Sequence, residues 1–276
     1  MLPSEPGLLR VISFNVRYGT ARDGVHHWDR RRGAVRSLLG DVGYDVCGLQ
    51  EVQAAQRYYL AQDDADHDWY AVGRTDGRTE GEQVPLVVRR AAIEVGGWAT
   101  KWLAEDPDAV GSTGWDAKIP RVATILRGIH RATGAELRIV NTHFDHRGVR
   151  ARRESARLIA ALVRQDGSRG WIVMGDFNVG IDSPALAALA EAGLRCALPA
   201  DAGGTFHGWS GATDRQRIDH IFIDDAWEVV DSGVVLDRPG GVLPSDHWPV
   251  FADLRPTDPS RNPTDPSRNP TDPSRN

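Results

Sequence analysis

Eight short apolar runs punctuate the chain: LLRVISFN (8–15), DVCGLQ (45–50), PLVVRR (85–90), RVATILRG (121–128), ELRIVNTH (136–143), WIVMGDFN (171–178), IDHIFID (218–224) and HWPVFADL (247–254). Runs of this length, rich in Val and Ile and bounded by polar or turn residues, read as buried strands. Only two stretches carry clear three- and four-residue apolar spacing, 30–39 and 151–164, the second through Leu158, Ile159, Leu162 and Val163. Many strands with few helices and no strict alternation predict an α+β chain. The expected form is sheets packed face to face with helices on the outside, rather than one parallel winding.

The strands share a positional habit. Asn15 follows VISF, Glu51 follows CGLQ, His143 follows VNT, and Asp176 and Asn178 follow WIVMG. Asp219 instead opens its run, and Asp246 and His247 precede theirs. Any one of these is an ordinary turn residue, Gly-Asp and Asn especially. Together they place hard oxygen donors and imidazoles at strand ends. Glu51 and Asp176, with Asn15 or Asp246, suit Mg²⁺ or Mn²⁺, which keeps water and leaves positions for a substrate phosphate. Zinc suits them less: the thiols lie elsewhere, and neither HExxH nor paired CxxC occurs. His247 in SDH, oriented by Asp219 in RIDH, is a candidate to move a proton near neutral pH; taken alone, it is also a plain residue at the head of a strand. Asp176 and Asn178 share strand parity, so both are expected to face one side, with Phe177 turned into packing.

The remaining totals bound the answer. Acidic residues outnumber basic ones 38 to 33, a net charge of −5, which disfavours a protein that coats nucleic acid by bulk attraction. The two cysteines, Cys47 and Cys196, are too few for a disulfide framework, no stretch has the length and apolarity of a membrane span, and no leader pattern opens the chain. A cytoplasmic monomer with no membrane insertion and no evident protein partner is the expectation. From Pro256 the heptapeptide PTDPSRN occurs three times, ending at Asn276. Such a segment has no aliphatic side chain to bury and is expected to be a disordered tail (256–276) after one catalytic domain (1–255).

The segments FN (14–15), LQE (49–51), NTHFDH (141–146), GDFN (175–178), RIDHIF (217–222) and SDH (245–247), in this order, resemble the endonuclease/exonuclease/phosphatase superfamily, whose fold is that of pancreatic deoxyribonuclease. SFNVRYG, GRTDG, GWDAKIPR, THFDHRG, TFHG and PSDHWPV look like a bacterial subgroup of it. The resemblance implies a four-layer α/β/β/α sandwich of two mixed sheets with the site at one rim, and a divalent-metal-dependent phosphoesterase that uses an activated water. It implies Glu51, Asn15 and Asp246 at the metal, and Asp176 at the attacking water. Asn178 and His143 would serve the phosphate, Asp219 and His247 would form a pair, and Glu82 would partner His143. Arg121 and His207 are candidates to touch substrate, as a small phosphate ester or as nucleic acid. A nuclease is the alternative within the class, and a silent phosphate-binding module the alternative outside it. Arg150, Arg153, Arg157 and Arg164 line one helical face, which reads as solvated.

Overall fold

The computed structural model describes residues 7–257. Twelve strands run in chain order: β1 (Leu9–Asn15), β2 (Val46–Gln50), β3 (His67–Tyr70), β4 (Leu86–Arg89), β5 (Ile93–Trp102), β6 (Val122–His130), β7 (Glu136–His143), β8 (Trp171–Asp176), β9 (Arg195–Cys196), β10 (Asp219–Ile223), β11 (Trp227–Val234) and β12 (Val250–Pro256). Four α-helices accompany them: α1 (Trp28–Val42), α2 (Ala54–Ala61), α3 (Val149–Asp166) and α4 (Ala187–Glu191). The strands form two six-stranded sheets, ordered β11-β12-β1-β2-β4-β3 and β5-β6-β7-β8-β10-β9. Each is mixed: β1 and β2 pair in parallel, as do β7 and β8, and the other pairings are antiparallel.

The apolar residues divide into layers. Leu9, Val11 and Val46 of the first sheet pack with Ile139, Ile172 and Ile221 of the second between the sheets. Val35 and Leu38 of α1 cover Ile12 and Phe14 of β1 from outside, while Ile159 and Val163 of α3, with Leu189 of α4, cover Val140 and Val173. This is the expected four-layer sandwich.

Strand periodicity then explains the polar ends. The side chains facing the opposite sheet change character along each strand: Leu9, Val11, Ser13, Asn15 in β1; Leu137, Ile139, Asn141, His143 in β7; Ile172, Met174, Asp176 in β8. The inter-sheet layer is aliphatic over most of its depth and polar at one rim. Just beneath that rim the fully buried Gln50 amide donates to Asn141 Oδ1 (2.7 Å) and Ser13 Oγ (3.1 Å), and Asn141 Nδ2 donates to the carbonyls of Leu49 and Pro85 (2.8 Å each). Gly48 makes room for this, since a Cβ there would fall 2.7 Å from the Asn141 side chain.

Topology also accounts for the residues that open their runs. β10 is antiparallel to β8 with Asp219 opposite Asp176, and β12 is antiparallel to β1, so the beginnings of β10 and β12 lie at the rim where β8 and β1 end. At the far end, Pro256 closes β12 and the Thr257 amide donates to Ala226 O (2.8 Å), so the first two residues of the expected tail belong to the fold. Residues 258–276, the rest of that tail, lie outside the described residues. Among the described residues no helix is long and apolar enough to cross a membrane.

Candidate active site

A cavity of about 450 Å³ opens at the polar rim, between the ends of the two parallel pairs. Glu51, Asp246, Asp176, Asn178, His143 and His247 line it, together with Arg121, Glu82 and His146. The backbone is bent to present two of these groups: Glu51 and Asn178 adopt left-handed φ angles of 61° and 54°. Glu51 follows directly on β2, where a continuing strand would have turned its side chain away from the cavity, and Asn178 lies two residues past the end of β8. Asn178 therefore reaches the cavity through a turn, not by the strand parity expected of it, and Phe177 packs inward on Phe144 and Phe222 as anticipated. Gly175 is required here, because a Cβ at its φ of 152° would collide with the Thr142 carbonyl.

Hydrogen bonds tie the two sheets together at this point. Asn15 Nδ2 donates to Glu51 Oε1 and to Asp176 Oδ2, at 3.0 Å each, and the Tyr18 amide donates to Glu51 Oε2 (3.0 Å). The Asn178 amide donates to Asp176 Oδ1 (2.9 Å), and Asn178 Nδ2 to Phe144 O (3.0 Å). His247 Nδ1 meets Asp219 Oδ2 at 2.9 Å, which leaves Nε2 3.8 Å from Asp176 Oδ2; His143 Nε2 is 3.4 Å from the same oxygen.

A model of the Endonuclease/Exonuclease/phosphatase family matches residues 12–247. The chain belongs to this family. Among solved structures, an endonuclease/exonuclease/phosphatase from Bacteroides vulgatus is 37% identical, with 91% of this chain and 99% of that one covered at a TM-score of 0.85. A mannosyl-6-phosphatase from Bacteroides thetaiotaomicron is 30% identical over 89% of this chain and 99% of that one, at a TM-score of 0.81. The human Nocturnin catalytic domain, 18% identical with 92% and 97% covered and a TM-score of 0.71, shares the fold. Among curated proteins none matches this chain.

The electrostatics of this endonuclease/exonuclease/phosphatase site separate its groups. Burial, and then Asp219, push the Asp176 carboxyl up to about 7. Burial alone would lower His247, but Asp219, with Asp176 and Asp246 behind it, outweighs that and raises the imidazole to about 10. His143 goes the other way, held well below its ordinary value by burial and by the Arg121 guanidinium, and is neutral near pH 7. Asp246 is raised by burial, with the Glu51 charge adding to it. The two crowded carboxylates of Glu51 and Asp246 are a donor set that fits a hard divalent cation, whereas Asn15, expected at the metal, turns its Nδ2 to Glu51 and Asp176 and its Oδ1 to the Arg17 amide (2.9 Å). Asp176, Asp219 and His247 also offer ligand atoms within 4.8 Å of one another, but Asp219 is fully buried behind His247 and its bond to that imidazole needs no ion.

The fold brings most of the expected residues to one cavity, with two departures. Glu82 lines the cavity, yet both its oxygens accept from Arg74 (2.7 and 3.0 Å), so the expected pairing with His143 is not made. His207 is fully buried against Trp248, ring centroids 4.6 Å apart, and its Nδ1 accepts from the Gly211 amide; it supports the loop and does not line the cavity. Burial, and then His247, draw it down to about 4. Arg121 is at the cavity, 5% exposed, with Nη2 3.2 Å from His146 Nδ1 and Nε 3.7 Å from Asp145 Oδ2. Arg17, Tyr18 and Phe206 line the cavity without having been marked as site residues, and His146, weighed with Asp145 as a shaper of substrate choice, lines it as well. RYG, THFDH and TFHG carried a signal for Arg17, His146 and Phe206, whose ring lies 5.1 Å from that of His247.

Proposed function

We propose that the chain hydrolyses small phosphate monoesters, sugar phosphates first among them, with Mg²⁺ or Mn²⁺ as cofactor and by direct attack of water. One observation carries this reading: an ionisable carboxylate (Asp176), a carboxylate-held imidazole (His247 with Asp219) and a buried arginine (Arg121) converge on one cavity beside the Glu51–Asp246 pair. The cavity's modest size and the likeness to a mannosyl-6-phosphatase support the choice of a small sugar ester.

Glu51 and Asp246 would hold the divalent ion, with the Asn15 amide group orienting Glu51, and the ion when bound supplies positive charge to the phosphoryl and leaving oxygens. Asp176 takes the proton of the attacking water: Asn15 and the Asn178 amide fix its two oxygens, and a pKa near 7 suits a base working at neutral pH. His247, held charged by Asp219, donates from Nε2 to a non-bridging oxygen rather than serving as the base. Neutral His143, the free hydrogen of the Asn178 amide group and Arg121 complete the donors around the phosphoryl group, where charge builds in the transition state. A dianionic monoester matches this cationic side better than a singly charged diester.

The test is hydrolysis of p-nitrophenyl phosphate, mannose 6-phosphate and bis-p-nitrophenyl phosphate, with Mg²⁺ or Mn²⁺ and in chelator. Monoester turnover that disappears in chelator is expected. Equal rates in chelator would refute the metal, a preference for the diester would refute the substrate class, and no turnover with any metal would leave a binding module.

A further inference from the structure

Arg31, on the second turn of α1, is 1% exposed, and the mechanism above makes no use of it. Its guanidinium donates to four backbone carbonyls: Val16 O (2.5 Å) and Arg17 O (2.7 Å), Pro244 O (2.9 Å), and His26 O (3.0 Å). The plane is faced by Trp28 and Trp209, whose rings lie 5.1 and 5.4 Å from its central carbon, and Trp209 is itself stacked on His26 at 4.5 Å. Burying an arginine cation against carbonyls alone is costly, and burial draws this one down to about 10. The carboxylates of Asp246, Asp23 and Glu51 act on it from farther away.

The carbonyls it binds share a position. Val16 and Arg17 follow Asn15 directly, and Pro244 immediately precedes Ser245, Asp246 and His247. One planar cation thus staples the turn leaving β1 to the turn entering β12, and Ser245 Oγ, donating to Asn15 O at 2.7 Å, bridges the same gap. We propose that Arg31 is the positioning residue that sets the separation between the Asn15–Glu51 side and the Asp246–His247 side of the cavity, and thereby both divalent-ion affinity and turnover. This rests on the metal-dependent reading above.

Lysine at this position keeps the charge but loses the planar fork, and cannot satisfy four divergent carbonyls. Arg31→Lys, Arg31→Ala and the parent are compared by Mn²⁺ titration calorimetry, thermal melting and steady-state kinetics on p-nitrophenyl phosphate. Arg31→Lys should weaken Mn²⁺ binding about ten-fold and lower kcat about ten-fold with KM nearly unchanged, as supporting residues of metal sites do. Millimolar guanidinium should restore part of the lost kcat of Arg31→Ala while leaving the parent unaffected. A merely structural arginine would lower the melting temperature alone. Mn²⁺ affinity and kcat both within about two-fold of the parent would overturn the proposal. Should the Arg31 variants not fold, Trp209→Ala strips one face from the guanidinium and is expected to move both quantities the same way; unchanged values would overturn the proposal equally. If the parent binds no Mn²⁺ and is active in chelator, the metal reading fails, and Arg31 is then judged on kcat, KM and guanidinium rescue.

Discussion

The unit β1-α1-β2 and the unit β7-α3-β8 are the same device used twice: two parallel strands joined by an outer helix, with an antiparallel strand, β12 or β10, alongside. Each delivers side chains to the same rim, but of different kinds. The first brings Asn15 and Glu51, with Asp246 from the turn entering the strand alongside; the second brings His143 and Asp176, with Asp219 at the start of the strand alongside. Glu51 stays partly open to the cavity, whereas Asp176 and Asp219 are buried to 1% and 0% exposure. One backbone plan thus yields an oxygen-donor corner that suits a cation and is wet at Glu51, with Asn15 and Asp246 buried beside it, and a dry corner whose carboxylate titrates near neutrality. Strand geometry sets where a side chain goes; burial decides what it does there.

Breaking the dry corner has the largest expected effect. Asp176→Asn removes the proton acceptor, and kcat should fall about 10⁴-fold with unchanged far-UV circular dichroism. If kcat stays near normal, the base has been misassigned. At the wet corner, Glu51→Gln should weaken Mn²⁺ binding about 100-fold by calorimetry, more than it alters KM at saturating metal. The layer the corners share can be probed through stability: Asn141→Leu removes the shortest acceptor of Gln50 and takes from the buried Leu49 and Pro85 carbonyls their side-chain donor, and should cost about 1–3 kcal/mol in urea unfolding.

Linkage sharpens the contrast further. Both dry-corner shifts are upward, so both withdraw stability as pH rises: Asp176 from its ordinary 3.8 to about 7, and His247 from 6.5 to about 10. Asp219→Asn should flatten the upper window of the urea midpoint against pH, and an unchanged profile would deny the pairing its electrostatic weight. The smallest effect is expected outside the cavity. Arg157, on the exposed face of α3, bonds Glu154 at 2.9 Å, and Arg157→Ala should change stability by less than about 0.5 kcal/mol and leave kcat unaltered.

The central strands were legible because both faces of each are covered, which writes an unbroken apolar run into the sequence. The outer ones were not. IEVGGWATKW forms β5 at a sheet edge, mostly exposed and interrupted at Gly96 by a register shift, so it carries neither alternation nor an apolar run. HDWY (β3) and WEVVDSGV (β11) escaped for the same reason, and α2 is too short to show its period. At the site, residue types located Asp176, His247 and Glu51, but not their backbone: a positive φ at a glutamate or asparagine leaves no trace in composition. Nor do residue types reveal competition for a partner. Arg74 claims Glu82, and a sequence alone does not say that the two meet.

The pairing of β1 with β12 has a practical corollary. Leu9 sits opposite Leu254, so the chain enters and leaves the sandwich side by side, one strand length, roughly 20 Å, from the mouth of the cavity. A tether, to a bead, a carrier or a second enzyme, joined to the fold at residue 7 or residue 257 would start at the end away from the catalytic opening and leave that opening to incoming solute.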